Sequence, residues 1–392
     1  MSRLENDQTY SDRNFANHQP VLEVQSQELL VEILYTDHKF YELEDEWNKL
    51  LVNSAVDSIF LTWEWISTWW KYFNESSTPW IITVRHPETE QLLGIAPLAI
   101  KSVRNMARFF DQTLIFMGNG EAAPDHVDFI IMNGYEDSIV HLFSEKIWDE
   151  QYNWSQINFD GIASNSAVIH RLLQQHPTTV KKVDRTVCPY LLLPDNWDTL
   201  NQSLSKSMRY SLGRFRRRLD KDYPEINQFK QITNPAEVKD FISSLVDLHT
   251  ASQKRKDNAG LFADQNMIDF HTELAERFLA KGWLRSYTLD VGETSIAALH
   301  CFQYNNRVSF YQSGFDQFWQ RYSPGTQIME HAIKEAIKDK NNVFDFLRGN
   351  EDYKYKWTKS YETNLKFVIP FSISNQIGLQ LKEFGRKLIT PS

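Results

Sequence analysis

Two stretches of this chain, roughly 200 residues apart, share one pattern. The first is Trp80, an apolar strand-like run, a polar turn at His86 to Glu90, and Gly94-Ile95-Ala96-Pro97-Leu98. The second is Trp283, a similar run, a turn at Gly292-Glu293-Thr294, and Ser295-Ile296-Ala297-Ala298-Leu299. Each leads to a helical pattern and then to a strand with a late aspartate: Ile157-Asn158-Phe159-Asp160-Gly161 in one, Val343-Phe344-Asp345-Phe346 in the other. Solenoid repeats run about 20–50 residues, so this offset indicates duplication of a whole domain. A chain of 392 residues is also too long for one ordinary core. The expectation is a mixed α/β (α+β) protein of two tandem domains, each a mostly antiparallel sheet with flanking helices. The expected divisions are a disordered leader at 1–27, a first domain at 28–190 and a second at 191–392, with the change marked by Pro189 to Pro194.

The copies differ at one helix start. Only the second has Tyr322-Ser323-Pro324-Gly325-Thr326. Ser323 suits an N-cap, and Pro324 suits the first helical position, where its missing N–H would have no partner anyway. Ile328, Met329, Ala332, Ile333, Ala336 and Ile337 then fall on one helical face. Gly325 lets another group come close to the first-turn amides, which with the helix dipole favour phosphate. Most such starts are caps and nothing more. The strand before this helix, Val308 to Ser313, closes an antiparallel meander, and the helix returns to Val343 to Leu347. That predicts a sheet switching from antiparallel to parallel order, a place where ligands bind. The first copy, without this start, reads as a degenerate partner that shapes a cleft.

Phe60 to Phe73 reads as a helix capped by Thr62, with Trp65, Ile66, Trp69, Trp70 and Phe73 making a wide apolar face. Lys71 stands nearly alone as a cation there, so a core helix is expected rather than a membrane-surface one. In the helix over Leu204 to Lys221, Leu204, Met208, Leu212, Phe215 and Leu219 form the stripe. Lys206, Arg209, Arg214, Arg216, Arg217, Arg218 and Lys221 cover the rest, as a solvated face or a surface for phosphate or an acidic substrate. The loop Asp125-His126-Val127-Asp128 has the side chains of a metal or acid/base site. No second histidine stands at ligand spacing, so the expectation is a polar loop capping its own backbone, with no metal. Two distant cysteines, Cys188 and Cys301, give no disulfide framework and point to a reducing compartment. The polar N-terminus lacks a signal-peptide pattern, and no apolar run is long enough to span a membrane, so a cytoplasmic protein is expected. The net charge of -9 argues against a DNA-binding role.

With these residues in view, the chain resembles GNAT-superfamily acyltransferases of the cellulose-biosynthesis-associated (CelD-like) group, relatives of the Fem-type aminoacyl transferases, which also duplicate the fold. The likeness rests on Phe60 to Phe73, on Ser205 to Leu219, on Ser323-Pro324-Gly325, and on Phe344-Asp345-Phe346-Leu347-Arg348-Gly349 followed by Tyr353-Lys354 and Trp357. The resemblance implies acyl transfer from acetyl-CoA, or another acyl-CoA, to an amine or hydroxyl of a small molecule or a glycan acceptor, as in cell-surface polysaccharide synthesis. It places the donor's pyrophosphate at Ser323, Gly325 and Thr326, although the superfamily's usual glycine-rich loop is reduced here.

Such chemistry needs a base for the nucleophile, an N–H near the thioester oxygen and an acid for the thiolate. Asp345 and His300 are the base candidates; the plainer readings are a cap or an ion pair to Arg348 for the first and a packed strand histidine for the second. Tyr353 or Tyr311 would be the acid, against a structural role. Arg209, Arg214, Arg348 and Lys354 are candidates for phosphate or an acidic acceptor, against pairing with neighbours such as Glu351 and Asp352. Two rivals stand beside this reading. One is Fem-like transfer from aminoacyl-tRNA using Arg216 to Arg218, which the overall acidity and the lack of a long helical arm count against. The other is a binding module that keeps the fold without the chemistry.

Overall fold

The computed structural model describes residues 28–56, 58–104, 110–175, 182–254, 262 and 264–371; the leader at 1–27 and the stretch Asn258-Ala259-Gly260 lie outside them. The first half runs β1 (Leu30–Leu34), α1 (Asp37–Tyr41), α2 (Glu44–Val52), α3 (Trp63–Phe73), β2 (Ser77–Pro79), β3 (Ile81–Arg85), β4 (Leu92–Ala96), β5 (Leu98–Arg104), β6 (Phe110–Phe116), β7 (Ile130–Ile131), α4 (Glu136–Asp149), β8 (Gln156–Ala163), α5 (Ala167–Gln175) and β9 (Lys182–Leu192). The second runs α6 (Trp197–Ser203), α7 (Lys206–Asp222), β10 (Asn227–Gln231), α8 (Pro235–Lys254), α9 (Gln265–Ala280), β11 (Tyr287–Val291), β12 (Thr294–Tyr304), β13 (Arg307–Phe315), α10 (Pro324–Lys338), β14 (Val343–Asp345) and β15 (Tyr361–Pro370).

The expected α/β class and the tryptophan-rich core helix are both found. Thr62 caps α3 by accepting from the Trp65 amide, and Trp63, Trp65, Trp69 and Trp70 are buried. Burying side chains of this size contributes about 2–3 kcal/mol each, which anchors α3 between the first-half sheet and α9. The apolar run from Leu92 to Ile100 does not form one strand but contributes to two, β4 and β5. Pro97 has no N–H for a ladder bond, and there the chain passes from one sheet to another.

The strands of both halves do not form two separate sheets. A four-stranded sheet has the order β1-β3-β4-β7, and an eleven-stranded sheet runs β10-β11-β12-β13-β14-β9-β15-β8-β6-β5-β2 through both halves. The joint is β14 on β9 and β9 on β15, both antiparallel. The sequence break around Pro189 falls inside β9, where Pro189 faces Tyr361 at the start of β15, so the missing N–H falls at the edge of that ladder. The last described strand, β15, thus pairs with the first-half strands β8 and β9.

The repeat is visible in the topology. In the second half β13 and β14 run parallel after an antiparallel meander, with α10 between them in sequence. In the first half β6 and β8 run parallel, with α4 between them. Both pairs are short and then part, leaving a gap at each switch point.

Candidate active site

One loop of the first half, Gly118 to Asp128, fills the gap in both halves. Gly118, at φ 83°, turns the chain against α3, where a Cβ would come within 2.8 Å of the Ile66 side chain. Val127 bridges Ile162 of β8 in parallel. Gly161 is required there, because a Cβ would collide with the Pro124 carbonyl. On the other side, the Tyr311 hydroxyl of β13 donates to the Ala122 carbonyl at 2.7 Å. The Arg348 amide and Nε, just beyond β14, donate to Asp125 at 2.7 and 2.8 Å, and Asn364 of β15 donates to the same carboxylate.

Held this way, the loop presents His126 to residues of the second half. His126 Nε2 lies 3.0 Å from Asp345 Oδ2, and Nδ1 lies 3.7 Å from Glu362 Oε2. Arg307, the first residue of β13, donates to Asp345 at 2.7 Å and reaches Glu362 at 3.4 Å. The Leu347 amide donates to Asp345 Oδ1 at 2.8 Å. Both His126 and Leu347 sit in the left-handed region, at φ 53° and 54°. Neither side chain adopts it readily, so the surroundings must hold them there at a cost of about 1–2 kcal/mol each.

The electrostatics follow from this geometry. Asp345 is fully buried. Burial raises its pKa, but His126, Arg307 and the Leu347 amide outweigh burial and hold the carboxyl well below the usual range. His126 shows the mirror case: burial pulls it down, while Asp345, Asp125 and Glu362 raise it to about 9. It is therefore an imidazolium at neutral pH. Asp345, compensated on three sides, is a poor proton acceptor and a good orienting group. Glu362 is 43 % exposed and is the carboxylate of the cluster that solvent reaches.

His126, Arg307 and Glu362 form part of the wall of a cleft of about 1200 Å³ between the halves, with Asp345 buried behind them. Asp128, Phe129 and Glu136 line it from the first half, and Tyr304, Asn306 and Arg307 from the second. Asp128, pushed up to about 6 by burial against the Ser166 and Phe129 bonds, does cap its own loop as expected. The expectation that Asp125 and His126 also serve only their own loop is corrected: their partners lie in the second half. His126, Asp345 and Glu362 bring ligand atoms within 4.8 Å of one another. To hold a divalent cation, His126 would have to lose its proton and Arg307 would have to leave both carboxylates.

The other sequence-nominated residues lie elsewhere. His300 is fully buried, 2.7 Å from the Ser286 hydroxyl, and burial lowers it to about 3. Tyr311 is committed to Ala122, and burial raises its pKa, as it does for Tyr353. Tyr353 is 41 % exposed, on the segment after β14. Arg348 holds Asp125, and Lys354 donates to the Leu347 and Arg348 carbonyls and pairs with Glu351. Arg209 donates to the Gln202 and Leu204 carbonyls, and Arg214 lies over Tyr210 and Phe215.

The helix start needs a correction. Ser323 is at φ 48° and makes no side-chain cap bond. It follows a short turn over Gln317–Tyr322, and its amide closes that turn on Gln320 while its carbonyl takes the Thr326 and Gln327 amides. The left-handed geometry needed to leave the turn points its hydroxyl away from the first-turn donors. Phe315 stands 3.3 Å from where a Gly325 Cβ would be. Ser323, Gly325 and Thr326 are half-buried and do not line the cleft.

Local signals offered little toward the cluster. His126 stood beside two aspartates, but its partners are far away in sequence. Arg307 ends a turn and Glu362 lies in an alternating strand, and neither pattern suggests function.

Residues 206–355, all within the second half, match the family model described as an acetyltransferase (GNAT) domain. Among solved structures, the chain is similar to FemX, with a TM-score of 0.56 at 10% identity, covering 86% of this chain and 98% of that one. It is also similar to a conserved protein of unknown function from Bacteroides thetaiotaomicron, with a TM-score of 0.51 at 11% identity, covering 86% and 100%. At such identities the likeness is one of fold. No curated protein matches the sequence. Among the described residues, no helix is long and apolar enough to cross a membrane.

Proposed function

We propose that this chain is an acyltransferase that carries an acyl group from an acyl-CoA to an amine or hydroxyl acceptor bound in the cleft between its halves. The observation that carries the reading is the meeting of His126 with Asp345, Arg307 and Glu362 on the cleft wall, at the switch point of the half that matches the GNAT model. The acceptor's nucleophile attacks the thioester carbon, the carbonyl electrons move to oxygen, and their return expels the thiolate. Glu362 is placed to take the nucleophile's proton. The His126 imidazolium stabilises the oxyanion and protonates the departing sulfur. Asp345 and Arg307 are positioning residues.

The donor's phosphates are assigned to the start of α10, at Ser323, Gly325 and Thr326. Phe315 beside Gly325 and Ser309 beside Asp345 are six residues apart on β13, about 20 Å at strand rise. A donor with a long arm between its phosphates and its thioester suits that span. A glycan acceptor, as in the CelD-like group, suits the cleft's Tyr190, Tyr304 and Tyr361 rings and its Asn305, Asn306 and Asn342 amides. The division near residue 190 belongs to the same reading, with the first half as acceptor-side partner.

The fold likeness to FemX favours a second donor, an aminoacyl-tRNA, acting on the same cleft. A thermal-shift panel separates the two. Stabilisation by an acyl-CoA, followed by mass-spectrometric detection of acylated acceptor that His126→Gln and Glu362→Gln abolish, is expected. Stabilisation by charged tRNA alone would replace the donor. No response to either donor, or full turnover in both variants, would remove the enzyme reading.

A further inference from the structure

A second charged surface lies apart from the cleft, on α7. Its 17 residues carry Lys206, Arg209, Arg214, Arg216, Arg217, Arg218 and Lys221 against Asp220 and Asp222, in a chain whose net charge is -9. At 100° per residue, Lys206, Tyr210, Arg214, Arg217 and Lys221 share the stripe opposite buried Met208, Leu212 and Leu219. The carboxylates are occupied: Asp220 pairs with Arg216 at 2.6 Å, and Asp222 accepts from Tyr322 at 2.8 Å and lies near Arg321. Among the described residues, no carboxylate lies at ion-pair distance from Lys206, Arg214, Arg217, Arg218 or Lys221. Gly213 leaves room for the Arg217 guanidinium to lie along the helix surface. The cations stand over about 22 Å of helix.

Two exposed aromatics belong to the same region. Tyr210 is 64 % exposed within the stripe, under Arg214. Phe318 is 83 % exposed on the turn that packs on the end of α7 through the Tyr223–Trp319 ring contact and the bond from Arg218 to the Arg321 carbonyl. A phenylalanine left in water forgoes the burial that normally favours an apolar ring. An uncompensated cationic stripe flanked by an exposed Phe and Tyr is a pairing that interfacial helices use.

We propose that α7 and the Gln317–Tyr322 turn dock this protein on an anionic lipid surface, with the guanidinium and ammonium groups at the phosphates and Phe318 inserted among the upper acyl carbons. A flat anionic bilayer takes the whole cationic stripe together with the ring of Phe318, 83 % exposed at one end of it. The opposite sign of the rest of the chain orients this face toward the membrane. The proposal does not rest on the acyltransferase reading.

The test is co-sedimentation of the full chain with phosphatidylcholine vesicles, with and without phosphatidylglycerol. Binding is expected only with the anionic lipid, weakening from about 0.1 to about 1 M salt as the screening length falls from roughly 10 to 3 Å. Arg214→Gln, Arg217→Gln and Lys221→Gln together should weaken it about a hundredfold, at roughly tenfold or less per charge. Phe318→Ala should weaken it several-fold while keeping the salt dependence. All four side chains are exposed, so thermal midpoints should stay within a few degrees of wild type, which separates lost docking from lost folding. Equal binding to neutral vesicles, no binding to anionic ones, or binding that the triple variant retains would overturn the proposal. So would tight binding of a single-stranded RNA oligonucleotide with none to vesicles.

Discussion

The two halves follow one plan and use it differently. Each has a strand with a late aspartate, set parallel to an earlier strand after a crossover helix. In the first half that residue is Asp160, partly exposed, paired with Lys366 at 2.7 Å and more loosely with Arg348. In the second it is Asp345, fully buried and held between His126 and Arg307. The same position is thus a surface ion pair in one copy and a buried charge cluster in the other. What separates them is the Gly118–Asp128 loop, which supplies a histidine to the second half but meets the first through the Val127 bridge, the Asn119 amide and the Asp128 carboxylate on Ser166.

The largest test of this contrast swaps the charge of each aspartate. Asp345→Asn leaves the half-buried His126 and Arg307 facing a neutral amide and should cost about 3 kcal/mol in urea melts. Asp160→Asn should cost about 1 kcal/mol or less. Equal losses would break the comparison. Next come the histidines. His126→Gln should lower acyl transfer by about 10²–10⁴-fold. His300→Gln should keep turnover and cost about 1–3 kcal/mol, because Ser286 loses its buried partner. The reverse ranking would move the chemistry to the β11–β12 meander.

The pH dependence of stability sharpens the comparison further. His126 is raised from 6.5 to about 9 in the folded chain, so the native state holds its proton more tightly than the unfolded one. Its contribution is fully present below about pH 6.5 and is lost as pH rises toward 9, amounting to at most about 3 kcal/mol. Wild type should lose that stability over this window and His126→Gln should not, as read by thermal midpoint against pH. The smallest effect is expected at Ser323→Ala. A capping serine would cost about 1 kcal/mol, but this one makes no cap bond, so the change should stay within about 0.5 kcal/mol.

Much of the fold was legible because its signals are local. The tryptophan face of α3, the amphipathic pattern of α10 and the turns of the meander each lie within a few residues of their cause. The candidate cluster was not legible. Asp345 stood out as a strand-end carboxylate, yet His126 looked like a loop residue beside its own aspartates. Arg307 and Glu362 carried no pattern, and Ser323 wore the pattern of a cap it does not form.

By itself the sequence determined most of the helices, the meander strands and the α/β class, since helix and strand periodicity record which side of each segment is buried. Only the tertiary structure decided that β9, β14 and β15 join the halves into one sheet and that one loop lies across both switch points. Strand pairing between residues more than 150 positions apart, and charge pairing across more than two hundred, depend on where the packed chain brings them. No short-range spacing encodes that, which is why the same aspartate position could become a surface pair in one half and a buried cluster in the other.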